Sequence, residues 1–190
     1  MKSFKEFLQT NEISPELTIE LTKRVQQRTV AKGTILQSSG AKKHQGFFVR
    51  KGLLRSYTID NKGKEHVFLF APEGWMVGDI ESNTFDTPAI LFVDALEDSE
   101  VDVIDSDVFS AFEQLPKEVL SFQIEKLLRR VSVLQRRVLM LMSASATERY
   151  QEFVKTYPMI TQRVPQRMIA SYLGITPEAL SKIRGALSRA

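Results

Sequence analysis

Residues 120–141 read LSFQIEKLLRRVSVLQRRVLML, and in this stretch Leu120, Ile124, Leu127, Val131, Leu134, Val138 and Leu141 recur at alternating steps of four and three. That spacing is the a/d seam of a coiled coil. The charged residues Glu125, Lys126, Arg129, Arg130, Arg136 and Arg137 all fall off the seam, as a solvated face requires. A straight helix drifts away from a strict seven-residue repeat. Three heptads that keep two apolar positions each therefore predict a second copy of the chain zipped along this helix. A helix packed within its own domain would also need an apolar stripe, and the two readings differ in what covers the seam.

Upstream of the seam the pattern changes from helical to β. Ser3 followed by Glu6, and Ser14 followed by Pro15, are helix starts that predict short helices over Phe4 to Gln9 and Pro15 to Gln26. From Arg28 onward come Thr29 to Ala31, Ile35-Leu36, Gly46 to Tyr57, His66 to Phe70, Ile90 to Ala95 and Val101 to Ile104, divided by Gly, Asn, Asp and Pro. Short strands so spaced predict an antiparallel barrel or jelly roll. Asp60-Asn61-Lys62-Gly63 predicts a hairpin with glycine where φ must be positive. The seven carboxylates between Asp94 and Asp107 invite a cation site. The alternation Glu100-Val101-Asp102-Val103 instead predicts a half-exposed strand with its carboxylates along an edge. Asp107 to Phe112 is expected to open the helical connection, with a break near Leu115-Pro116 before the long helix.

Downstream, Ser145 and Glu148 form a capping box that opens a helix from Thr147 to Thr156, stopping before Pro158. Ser143 to Ala146 is therefore a hinge candidate. Residues 166–184 then read QRMIASYLGITPEALSKIR. Ala170 is small where two helices would cross and Gly174 sits at a turn. Ile169, Leu173, Ile175, Leu180 and Ile183 supply a shared core. Thr176 caps the second helix, Pro177 takes its first position, and the helix runs to about Leu187. This is the pattern of a helix-turn-helix, whose second helix enters the DNA major groove by its N-terminal half. Glu178 is placed to accept from cytosine N4, and Lys182 to donate to guanine O6 or N7. Thr176, Pro177 and Ser181 lie on the same approach, while Arg167 and Arg184 suit phosphates.

Charge supports that polarity. The 190 residues carry a net +3, yet residues 1–111 hold 13 Lys/Arg against 17 Asp/Glu, while residues 143–190 hold 7 against 3. The tail is suited to a polyanion and the front is not. Without any cysteine, disulfides, thiolate metal sites and iron–sulfur ligation are excluded together. No apolar run approaches the length of a membrane span, and the opening MKSFKEFLQTNE lacks the hydrophobic region of a secretory signal, so a cytoplasmic protein is expected. An enzyme finds little support, since there is no Gly-x-Ser-x-Gly nucleophile, phosphate-binding loop or dinucleotide fingerprint.

KGTILQSSG (residues 32–40), FFVRKGLLRSY (47–57), EGWMVGDI (73–80) and the helix-turn-helix at 166–184 together resemble the Crp/Fnr family of bacterial transcription regulators. The resemblance implies an α+β chain in three parts: a cyclic-nucleotide-binding-like jelly roll over residues 1–111, a dimerisation helix over 112–142, and a helix-turn-helix domain over 143–190. It also implies a homodimer on an inverted-repeat operator, and RNA polymerase as a further partner if the protein activates.

Departures from the family pattern bear on the effector. The family's phosphate cassette has a Gly-Glu pair followed by Arg beside Ser or Thr, then Ala; here Gly78-Asp79-Ile80 is followed by Thr87-Pro88-Ala89, with no arginine. A cyclic phosphate buried without a cation is poorly paired. A non-cyclic-nucleotide effector or an orphan barrel is expected, with Gly78, Asp79, Ile80, Thr87 and Ala89 as the effector-pocket candidates. The alternative is cyclic AMP or cyclic GMP held by amides of residues 78–80 and a basic residue such as Arg55. Haem would have to use His44 or His66, both expected in strands or loops. An apolar pocket about Trp75, Met76, Phe85 and Phe92 is a further possibility for an uncharged ligand. On the DNA side, Pro177-Glu178 stands where family members often have Arg-Glu, so the family's usual operator is not expected. Nor is the wing that many members possess expected, with Ala190 so soon after the recognition helix.

Overall fold

The computed structural model describes residues 3–11, 13–43, 45–105 and 117–189. The helical connection expected from Asp107 to Phe112, the break at Leu115-Pro116, His44 and the 111/112 boundary lie outside the described residues. Two compact units result, Met1–Thr58 with Phe68–Ser121, and Ile59–Val67 with Phe122–Ala190.

In the first unit, α1 (Phe4–Thr10) and α2 (Pro15–Thr22) precede the strands. The Ser3 and Ser14 side chains accept from the amides of Glu6 and Leu17, as their spacing predicted. The strands are β1 (Gln26–Val30), β2 (Ile35–Gln37), β3 (Gln45–Lys51), β4 (Leu54–Ile59), β5 (Glu65–Ala71), β6 (Met76–Gly78), β7 (Phe92–Ala95) and β8 (Ser99–Asp105). A short helix, α3 (Ile80–Phe85), follows β6. Two antiparallel sheets form, in the orders β1-β8-β3-β6 and β2-β7-β4-β5, giving the expected jelly roll.

Their facing surfaces bury Phe47, Val49, Leu54, Ala71, Val77, Val93, Val101 and Val103 in one core. Each Val, Leu or Phe side chain among them contributes about 1.5–3 kcal/mol. The outer face of the first sheet is covered as well. Phe48 and Ile104 point there and pack with Phe4, Leu8, Ile13 and Leu21 of the N-terminal helices, and Leu120 packs against the same cluster. Burial on both faces explains why β3 reads as a continuous apolar run.

Three expectations need correction. The second helix stops at Thr22, not Gln26, because residues 26–30 pair with β8 (Gln26 opposite Val103, Val30 opposite Ser99). Four of those five residues are exposed, so no alternation marked the strand. Gly46 to Tyr57 is two strands rather than one. The chain turns at Gly52, φ 93°, and passes from one sheet to the other. Asp102 is not on an exposed edge. Strand β8 is internal to its sheet, Asp102 is 2% exposed, and its Oδ2 accepts from the Phe4 amide at 2.8 Å. The carboxylate thus meets an unpaired donor at the start of α1.

In the second unit, the long helix α4 (Lys117–Ser143) ends two residues before α5 (Ala146–Thr156), at the expected junction. Ser145 and Glu148 complete their capping box reciprocally, and those hydrogen bonds, side chain first, hold the Glu148 carboxyl below its usual range. Then come α6 (Ile160–Arg163), α7 (Gln166–Leu173) and α8 (Pro177–Leu187) around a core of Phe153, Ile160, Val164, Ile169, Ala170, Leu173 and Leu180. The tip of the β4–β5 hairpin belongs to this unit. The Ser171 hydroxyl accepts from the Val67 amide at 2.9 Å and donates to the Glu65 carbonyl at 2.8 Å, satisfying the edge of β5 as another strand would.

Candidate functional site

The helix-turn-helix forms as its residue pattern required. Gly174 adopts φ 67° and closes α7, and the amide of Ile175 returns to the Ala170 carbonyl at 3.0 Å. Ala170 is fully buried at the crossing and Leu180 is fully buried beneath α8. Arg149, which no sequence signal marked, donates through Nη1 to the Leu173 carbonyl at 2.8 Å and ties α5 to the end of α7. Ile175 and Ile183, expected in the core, are half-buried.

This packing presents one polar face. Arg167, Thr176, Pro177, Glu178, Ser181, Lys182 and Arg184 are all exposed. Glu178 and Lys182 are four residues apart, with Ser181 between them, so the three share the face opposite Leu180. The Thr176 side chain accepts from the Ala179 amide at 3.2 Å. The Glu178 carboxyl is held below its ordinary range, first by its own backbone N–H and then by the Thr176 hydroxyl. It is therefore an anion, folded back on the start of α8, and reaching a base means releasing that hydroxyl.

The long helix leaves its seam open. Ile124, Leu127, Val131, Leu134, Val138 and Leu141 are between 42% and 56% exposed in the single chain. Burial inside the chain's own fold therefore does not account for these six, whereas Leu120, the first position of the expected seam, packs instead against the Phe4 cluster. Leu128 and Met142 flank the seam at 60% and 78% exposure and widen it.

The cassette candidates come together around a carboxylate. Asp79, 2% exposed, accepts from the amides of Ile90 at 2.7 Å, Leu91 at 3.0 Å and Ser82 at 3.2 Å. Backbone groups of Ala89 are paired with Gly40 and Ala41, Gly78 packs against the Gln45 carbonyl, Thr87 is half-buried and Ile80 is 68% exposed. The Asp79 carboxylate thus stands within the 78–80 stretch whose amides an anionic ligand would use, where its charge opposes an anion. Arg55 is also engaged, since its Nε and Nη2 donate to Asp94 at 2.8 and 2.9 Å and its guanidinium lies 4.1 Å from the Tyr57 ring centre.

The proposed apolar quartet is not assembled. Met76 packs with the Phe4 cluster, Phe92 stacks on Tyr57, and Phe85 and Trp75 are 70% and 39% exposed. A cavity of about 180 Å³ lies instead beside Gln37, Ser38, Lys43 and Gln45, and none of the five cassette candidates lines it. His66 sits in the hairpin with Nε2 2.8 Å from Asp60 Oδ2. Among the described residues no cluster of His, Cys, Asp and Glu has the arrangement of a metal site, and no helix is long and apolar enough to cross a membrane.

Comparison with known proteins agrees with this geometry. The cyclic nucleotide-binding domain matches residues 27–114. The anaerobic regulatory protein of Pasteurella multocida (strain Pm70) is 26% identical over 178 residues, 85% of this chain and 63% of the relative, so the chain spans less than two thirds of that relative. FixK2 of Bradyrhizobium japonicum superposes with a TM-score of 0.72 at 19% identity, covering 87% of this chain and 85% of that one. A protein of Eubacterium rectale assigned to the crp/fnr family of transcriptional regulators gives a TM-score of 0.70 at 16% identity, covering 92% and 83%.

Proposed function

We infer that this chain belongs to the Crp/Fnr family and works as a homodimeric, sequence-specific DNA-binding transcription regulator of the cytoplasm. Its parts are a cyclic-nucleotide-binding-like barrel over residues 1–111, a dimerisation helix over 112–142 and a reading head over 143–190. The carrying observation is the α8 face of Glu178, Ser181 and Lys182, solvent-open on a capped helix that Leu180 anchors. Pairing two chains through the half-exposed seam would set two such helices about one DNA turn, roughly 34 Å, apart on an inverted repeat. Contact with RNA polymerase belongs to this reading if the operator-bound dimer activates.

The test is selection of genomic fragments by the purified protein across a salt series. A preferred palindromic fragment is expected, with log affinity falling by about 0.9 per decade of salt for each phosphate contacted. No salt-sensitive preference over bulk DNA overturns the reading.

A second reading, favoured by the domain match at 27–114, makes cyclic AMP or cyclic GMP the effector. Asp79 and the Arg55–Asp94 pair weigh against it, because the phosphate would lie beside the Asp79 carboxylate and Arg55 would have to leave Asp94. Calorimetry with millimolar cyclic nucleotide decides between this and an orphan barrel or one with another small-molecule effector.

A further inference from the structure

Within the second unit, α4, α5 and α7 line a partly open cavity of about 190 Å³, of whose lining residues Leu141 alone belongs to the expected seam. Its walls are apolar and aromatic. Val133, Met140 and Leu141 line it from α4, Phe153 from α5 and Tyr172 from α7. The Phe153 ring packs directly on those of Tyr172 and Tyr157, with centroids 5.2 and 5.5 Å apart, so the three form one aromatic wall. The volume is below the range of about 300–1,000 Å³ that holds drug-sized ligands, so the occupant is small.

The polar groups have one dominant sign. Arg136, Arg137 and Arg149 line the cavity against a single carboxylate, Glu152. Arg137 is already engaged over the Tyr172 ring at 3.9 Å and with the Tyr172 carbonyl at 3.3 Å. Arg149 is not fully engaged, for while Nη1 holds Leu173 its Nε is buried with no hydrogen-bond acceptor. A desolvated guanidinium N–H without an acceptor is a standing cost that an anionic oxygen would remove. Burial pushes the Tyr172 phenol up to about 12, so the aromatic wall adds no negative charge near neutral pH.

We propose that this cavity is a binding site for a small monocarboxylate with a flat apolar body, its ring laid against the wall of Met140, Phe153 and Tyr172 and its carboxylate toward Arg149 and Arg136. A ligand there touches both the long helix and the helix-turn-helix, on either side of the Ser143–Ala146 junction. The inference adds a ligand to the regulator reading, and its test reads binding rather than DNA.

The probe is sodium benzoate titrated into the full chain at constant ionic strength, followed by NMR of the tyrosine and phenylalanine rings and by melting temperature. Benzyl alcohol serves as the uncharged match. Saturable shifts at the rings of Phe153 and Tyr172 are expected, with at least tenfold weaker binding of benzyl alcohol. Arg136→Gln should weaken benzoate several-fold. Val133→Trp should abolish binding by filling the cavity from a side chain that lies off the seam. If that variant does not fold, Thr156→Trp fills it from α5. Absence of a saturable response to millimolar benzoate, an equal response to benzyl alcohol, or binding that survives the filled cavity overturns the proposal. Operator selection run separately shows whether the regulator reading stands.

Discussion

One oxygen of the Asp79 carboxylate lies 2.7 Å from the amide nitrogen of Ile90, eleven residues along the chain, and the same oxygen reaches Leu91. The side chain closes the β6-to-β7 segment on itself and places a buried carboxylate beside the 78–80 amides that an anionic effector would use. Asp79→Ala should therefore destabilise the barrel by at least about 2 kcal/mol, since each desolvated donor left without an acceptor costs about 1–3 kcal/mol. Urea unfolding measures this. No gain of cyclic AMP binding is expected in the variant, because Arg55 stays committed to Asp94; calorimetric heat would contradict that.

Reading and anchoring residues on the head should separate by specificity. Lys182→Ala and Glu178→Ala are each expected to cost about 1–3 kcal/mol at one base pair of the selected site and to relax preference there. Arg167→Ala should weaken all sequences alike and lower the salt slope by about 0.9. Affinity against a panel of single-base variants at two salt concentrations tells the two classes apart.

Val138→Glu puts a charge near the C-terminal end of the open seam, between Leu134 and Leu141. Sedimentation equilibrium should then give the mass of one chain at micromolar concentration. Operator affinity should drop by orders of magnitude, since two half-sites are no longer held together. A variant that remains a dimer would move the interface elsewhere.

Gly52→Ala tests the crossing between sheets. A Cβ there would lie 2.2 Å from Ser99 Oγ and 2.8 Å from the Asp98 carbonyl oxygen, at a φ of 93°. A loss of about 2–5 kcal/mol is expected from overlap and backbone strain together. Gly63, also at positive φ but with open space around its Cβ position, is the control, and its alanine variant should lose only about 1–2 kcal/mol.

The hairpin tip should respond to acid. Hydrogen bonding from His66, then from the amides of Lys64 and Lys62, lowers the Asp60 carboxyl from 3.8 to about 2. A depressed carboxylate pKa contributes stability that is complete above the unfolded value near 3.8 and is lost as pH falls through about 2. NMR titration of Asp60 should show that midpoint, and His66→Gln should raise it toward 3.8.

Local rules were legible wherever one side chain acts on its neighbours in the chain. The caps at Ser14, Ser145 and Thr176, the turn glycines at 63 and 174 and the a/d stripe each answer a steric or hydrogen-bonding demand within a few residues. They are enough to predict a jelly roll, a long helix and a helix-turn-helix. What they could not reveal needed distant partners. Strand β1 begins at Gln26, ahead of the predicted Thr29 to Ala31 run, because β8 offers it a ladder some 70 residues away, although its own residues are mostly polar and exposed. Asp102 reads as a solvated carboxylate until α1 brings the Phe4 amide to it, and Arg55 reads as a free cation until Asp94 is found 39 residues on. Periodicity records which face of an element is apolar. Only the assembled chain decides which buried charges meet, because desolvation and pairing depend on what arrives from elsewhere in the fold.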